Sequence, residues 1–148
     1  WNGRQPRVKR DKINLLMDIG YTVLFNYIEA ILNIYGFDIY KGNLHKEFYK
    51  RKSLVCDMIE PFRPIVDYKI RKCINLRQLD NYKYTVDNGQ YHIDWKDGAN
   101  FMLLILEAIN EYKKEIFEYI QQYYRWIMKE KEMCDFPRVV LTNDTDKL

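Results

Sequence analysis

Within the strongly basic stretch from Gly42 to Pro64, His45, Asp57 and Glu60 are the side chains whose types could do chemistry. Carboxylates set among lysines and arginines repel a phosphate unless a divalent cation lies between them. The arrangement therefore points to a hard cation together with a polyanion, that is, to metal-dependent chemistry on nucleic acid. Each residue also has an ordinary reading. A lone histidine is usually structural or exposed, and two carboxylates three residues apart are often a solvated helix face or partners of Arg63 or Lys52. Asp57 has a further option, to orient His45 or Arg63 instead of touching an ion.

Positioning these residues requires elements, and the spacing supplies them. Asp11 is a helix N-cap candidate, and Ile13, Leu16, Met17, Gly20, Leu24, Tyr27, Ile28, Ile31 and Tyr35 follow at helical spacing up to a stop at Gly36. Asn14, Asp18, Asn26, Glu29 and Asn33 make the opposite, polar face. A short helix or extended piece from Leu44 to Lys50 would carry His45. Ser53 is a candidate cap for a further helix, which would place Asp57 and Glu60 on one face where both could meet a single ion. If that segment is instead extended, the two carboxylates point to opposite faces. Pro61 either kinks an established helix running to about Leu76 or occupies the first turn of one that starts at Glu60. Alternation from Tyr84 to Ile93 around Asn88-Gly89 reads as a small β-hairpin. Asp97 would cap a long helix, broken once into two, with Phe101, Leu104, Ile105, Ala108, Ile109, Tyr112, Ile116, Ile120, Tyr123 and Ile127 on its apolar side and Pro137 at its end.

With 148 residues, 47% of them hydrophobic, the chain is that of a globular domain, with no repeat or low-complexity segment. Its net charge of +3 is unevenly spread. The segments 1–12, 41–52 and 63–77 each hold five Lys or Arg against one acidic residue, which makes a phosphate-binding face if gathered and only aids solubility if dispersed. Lys46, Lys50, Arg51, Lys52, Arg63 and Arg71 are the candidate nucleic-acid phosphate contacts, with Tyr40, Tyr49 and Arg4 as further ones. Tyr27, Tyr112 and Tyr123 fall on apolar stripes and read as core or interface, and His92 as structural or exposed. Cys56, Cys73 and Cys134 show no metal-binding spacing and read as reduced thiols of a cytosolic protein. The longest apolar run, 101–106, is too short to cross a bilayer, so a soluble cytoplasmic protein is expected. The opening at Trp1 reads as the start of a piece of a longer protein.

At Asp11 to Asn14 with Gly20-Tyr21, at 35–38, at Gly42 to His45 and along 51–64, ordered blocks make the chain resemble a known family. It is similar to the C-terminal catalytic domain of the CRISPR adaptation (spacer-acquisition) integrase/endonuclease, from Asn2 to about Asn75 and more loosely to Phe136. The resemblance implies a mainly α domain over 1–136 with one small hairpin near 84–93, followed by a polar, frayed tail at 137–148. It implies a prokaryotic enzyme of antiviral defence that inserts spacer DNA into a CRISPR array by 3′-OH transesterification with Mg²⁺ or Mn²⁺. The family's histidine matches His45 and its acidic ligand matches Glu60, with Asp57 beside the metal or as an alternate ligand. A glutamate the family places upstream has no counterpart here, and Glu29 lies at a position where the family does not put it. The implied partners are double-stranded DNA, a second copy in the full-length protein and a small ferredoxin-like adaptation protein. The alternative is a helical DNA-binding or assembly domain without catalysis.

Overall fold

The structure, a computed structural model, describes residues 3–5, 8–46, 48–128, 136–139 and 141. Five α-helices and one antiparallel hairpin are its regular elements among these residues, so the expectation of a mainly α chain with one small hairpin holds. The helices are α1 (Lys12–Ile34), α2 (Ser53–Ile59), α3 (Arg63–Asn75), α4 (Trp95–Glu111) and α5 (Lys113–Ile127), and the strands are β1 (Tyr84–Asp87) and β2 (Gln90–Ile93). The chain divides into two compact units, Trp1–Tyr27 with Phe62–Asn110, and Ile28–Pro61 with Glu111–Leu148.

In the first unit, the Asp11 carboxylate accepts the Asn14 N–H at 2.8 Å and so caps α1 as its sequence position predicts. Asn14 itself departs from expectation. It is fully buried, where the helical wheel put it on the polar face. Its side-chain carbonyl accepts from Arg4 and from the Gln5 N–H, and its amide donates to Asp11 and to the Gly3 carbonyl, so every polar atom is satisfied and burial carries little penalty. Gly20 lets α1 and α3 approach closely, since a Cβ there would lie 2.6 Å from Val66 Cγ1. Leu15, Leu16 and Leu24, Phe62, Ile65, Val66 and Ile70, and Phe101, Ile105 and Ile109 are buried from three directions of the sequence. The hairpin pairs Tyr84 with Ile93 and Asp87 with Gln90, and Asn88 and Gly89 both take the positive φ that a two-residue turn needs. α4 begins at Trp95, two residues before the expected cap. Asp94 receives the Gly98 N–H on its carbonyl and the Lys96 N–H on its carboxylate, while the Asp97 carboxylate is taken by the Lys83 N–H.

In the second unit, α1 stops at Ile34 and Gly36 turns the chain with φ +73°. No helix or strand forms from Leu44 to Lys50, which is loop among its described residues. Ser53 is the first residue of α2 and not its cap; its hydroxyl donates to the Lys46 carbonyl at 3.3 Å. At Pro61 the helix is interrupted by a 3-10 turn, Glu60–Phe62, after which α3 runs to Asn75, as the kinked reading expects. The long C-terminal helix is broken once, at Tyr112, also as expected. It ends well before Pro137, where the Met128 N–H closes on the Tyr124 carbonyl at 3.0 Å. Ile127, expected on the apolar side, is exposed.

Cys56 and Cys73 are free thiols, and Cys134 and the expected frayed tail from 142 lie outside the described residues. By length and composition α1 could cross a membrane, which a search for an unbroken apolar run overlooks. Its Leu15, Leu16, Leu24, Ile28, Ile31 and Leu32 are buried within the protein, as in a core helix.

Candidate functional site

The loop that carries His45 is moulded around one buried carboxylate. Asp57, on α2, has a side chain only 2% exposed. Its Oδ2 accepts the backbone N–H of Asn43 at 2.6 Å and of Leu44 at 2.9 Å. Its Oδ1 accepts the His45 N–H at 3.0 Å and lies 2.5 Å from His45 Nδ1. Three successive N–H groups can converge on one carboxylate only if the chain turns tightly there, and Gly42 supplies the clearance. A Cβ at Gly42 would lie 2.8 Å from Asp57 Oδ2, 2.8 Å from Ser53 Cβ and 3.0 Å from the His45 carbonyl oxygen. Burial by itself would push the Asp57 carboxyl up. The Leu44 N–H, the His45 imidazole and the Asn43 and His45 N–H groups outweigh it and hold the group below the ordinary carboxylate value.

A second tether fixes the same loop. The Asn43 amide donates to the Tyr123 hydroxyl of α5 at 2.7 Å. Burial first, then the nearby Asp57 and Tyr119, push the Tyr123 phenol up to about 12, against a lowering contribution from Asn43. The tyrosine therefore stays neutral and keeps its place in an aromatic cluster with Phe37, Trp126 and Phe136. Asn43, Asp57 and Glu60 line a cavity of about 920 Å³ together with Tyr119, Tyr123 and Trp126.

Because a carboxylate only accepts, the 2.5 Å contact to Asp57 puts a proton on Nδ1, so that in the neutral imidazole the lone pair lies on Nε2. The His45 side chain is 30% exposed. Glu60, at the start of the 3-10 turn, is exposed. The expected sharing of one ion by Asp57 and Glu60 does not follow from this geometry, since one is buried and saturated with donors while the other faces solvent. By donor type alone, the His45 imidazole and the Glu60 carboxylate are one nitrogen and one oxygen donor of the kinds a divalent cation takes. Among the described residues no group of three or more His, Cys, Asp or Glu side chains gathers for an ion. Glu29 is committed elsewhere, 2.5 Å from Lys52 Nζ.

The candidate DNA contacts separate. Lys46, Lys50 and Arg51 are exposed in the unit that holds His45. In that same unit Lys52 is paired with Glu29, whose hydrogen bond raises the lysine's pKa. Arg63 and Arg71 belong to the other unit, where Arg63 lies over the Tyr21 ring at 4.5 Å and Arg71 is exposed. Arg4 is drawn inward by Asn14 and Asp18, whereas Tyr40 and Tyr49 are exposed. His92 is exposed on the hairpin, Tyr27 and Tyr112 are half-buried, and Tyr123 is buried. Sequence reasoning missed the structural parts of Gly42, Asn43 and Tyr123. The glycine stood in a recognised block, but nothing in the sequence joins residue 43 to residue 123.

A family profile described as "CRISPR associated protein Cas1" matches residues 1–104. The chain is 33% identical over 105 residues to a CRISPR-associated endonuclease Cas1 of Thermus thermophilus, covering 71% of this chain and 29% of that protein. A Thermodesulfovibrio yellowstonii protein of the same description is 26% identical over 132 residues, covering 88% and 42%. The chain thus spans well under half of these relatives' length. Among solved structures it is similar in fold to a casposase bound to integration product, with a TM-score of 0.85, 21% identity and coverage of 95% of this chain and 44% of the other. A Cas1 protein from Thermotoga maritima gives a TM-score of 0.80 at 19% identity, covering 96% and 45%.

Proposed function

The chain belongs to the CRISPR-associated Cas1 family, and from that premise we propose that it is the C-terminal, His45- and Glu60-bearing part of a divalent-metal-dependent DNA integrase and endonuclease. The observation that carries this reading is the Gly42–His45 loop, folded on Asp57 so that His45 Nδ1 is taken by that carboxylate, with Glu60 three residues further along the chain at the end of the same helix.

In the proposed reaction the 3′-hydroxyl oxygen of incoming spacer DNA forms a new bond to phosphorus at the edge of a repeat as the repeat's own 3′-oxygen leaves. One P–O bond replaces another, so no external energy source is needed. Mg²⁺ or Mn²⁺, when bound, supplies Lewis-acid polarisation of the scissile phosphate and stabilisation of the leaving oxygen. His45 Nε2 and Glu60 would hold the ion, with a further carboxylate supplied from beyond the residues described. An imidazole ligand favours Mn²⁺ over Mg²⁺, which prefers oxygen donors. Lys46, Lys50 and Arg51 would contact the DNA backbone. The likeness to a casposase bound to integration product and to a Cas6-RT-Cas1–Cas2 complex supports DNA and a small adaptation protein as partners; a second copy and a cytoplasmic location complete the proposal.

In a chain of the relatives' full length, His45→Ala and Glu60→Ala are each expected to abolish metal-dependent strand transfer while duplex binding persists. Strand transfer at the unsubstituted rate in either variant would defeat the assignment. A second reading, a DNA-binding or assembly domain without catalysis, is favoured by the lack of a third ligand among the described residues. Salt-sensitive DNA binding by the full-length protein with no Mn²⁺ binding in calorimetry would establish it.

A further inference from the structure

Among the residues of this site, Asp57 has a geometry that sets it apart from a ligand. We propose that Asp57 is a positioning residue and not an ion ligand: it templates the Asn43–His45 turn and locks the His45 imidazole in its Nδ1–H tautomer, with Gly42 as the clearance that permits it. The purpose of this device rests on the reading of His45 as an ion ligand; its geometry stands without that reading.

A carboxylate offers about four lone-pair directions. In Asp57 all four are met: Oδ2 by the N–H groups of Asn43 and Leu44, and Oδ1 by the N–H and Nδ1 of His45. An ion drawn onto either oxygen would have to displace one of these donors, and the side chain is 2% exposed. The three backbone bonds bring consecutive residues onto one acceptor, so they fix the path of the chain. The fourth fixes the ring about its own axis. Together they occupy Nδ1 and leave Nε2 as the ring nitrogen a cation would take. Gly42 belongs to the same device. Any Cβ there would sit 2.8 Å from Oδ2 and push the carboxylate off its donors without removing one of them. Ser53 closes the other side, since its own Cβ is 2.8 Å from the same point.

The chain has two histidines, and His92, exposed on β2, serves as an internal reference. Long-range ¹H–¹⁵N spectra of the labelled chain at about pH 9, where an imidazole is neutral, report the tautomer of each. His45 is expected as Nδ1–H with a bare Nε2, and His92 as the Nε2–H form that free imidazole prefers. An Nε2–H pattern at His45 in the unsubstituted chain overturns the proposal, with no variant needed. Asp57→Asn and Gly42→Ala are each expected to move His45 towards the His92 pattern; retention of Nδ1–H in both would equally overturn it. Mn²⁺ broadening of the His45 ring separates the two readings. Broadening that falls by roughly 10- to 100-fold in apparent affinity in Asp57→Asn supports positioning. Absence of broadening at His45 in the chain of the relatives' full length, with the Nδ1–H tautomer in place, defeats the metal reading and leaves the positioning role intact. An Asp57→Asn chain that binds Mn²⁺ as tightly as the parent counts against it.

Discussion

At the scale of single residues, the chemistry of this chain is governed by how completely buried polar atoms are satisfied. Asp57 and Asn14 are both buried, and both are saturated with partners from segments distant in sequence. For Asp57 this has a pH consequence with a definite sign. Its folded-state value lies below the ordinary 3.8, so its contribution to stability is present above that value and is lost as pH falls through the lower folded one. His45 touches the carboxylate, and Tyr119 and Tyr123 face it; both phenols keep their protons throughout the acid range. Urea unfolding between about pH 2 and 6 is expected to show a fall in stability below the ordinary aspartate range, and Asp57→Asn is expected to flatten it. The same variant should cost about 1–3 kcal/mol at neutral pH, because an amide nitrogen would face N–H donors. An unchanged acid limb would show that the carboxylate is not held in this way.

At the scale of elements, the tightest contact described is between α1 and α3 at Gly20. Its missing Cβ leaves room for Val66, which is fully buried and has nowhere to move. Gly20→Ala is expected to destabilise the chain by about 1–3 kcal/mol in chemical denaturation, and adding Val66→Ala should recover part of that loss. Simple additivity of the two would argue against the contact. Elements of this kind were legible in sequence where the signal is local. Asn88-Gly89 announces its turn because few other pairs tolerate positive φ at both positions, and Asp11, Gly36 and Pro61 mark α1 and the break after α2 by rules that act within a few residues. The misreadings have a common cause. Asp97 looks like a cap until the Lys83 N–H claims its carboxylate, and Asn14 looks solvent-facing until residues 3–5 fold over it. Likewise His45, Asp57 and Glu60 stood out by type, but the division of labour between a buried template and an exposed carboxylate depends on a loop closing from 12 to 14 residues away.

At the scale of the whole molecule, the net charge of +3 says little, while the placement of exposed cations says more. Lys46, Lys50 and Arg51 share a unit with His45 and are exposed, so they are the cations expected to release counterions on duplex DNA. Replacing all three with alanine should reduce the slope of log affinity against log salt by about 0.9 for each phosphate that is no longer neutralised. A slope that does not change would place DNA elsewhere on the protein. The family profile covers residues 1–104, yet the hydroxyl that tethers the Asn43 amide belongs to Tyr123. The family profile and mechanical integrity thus draw different borders around the same loop. A protein engineer who trimmed the chain to the span of that profile would keep the imidazole and discard the strut that steadies it.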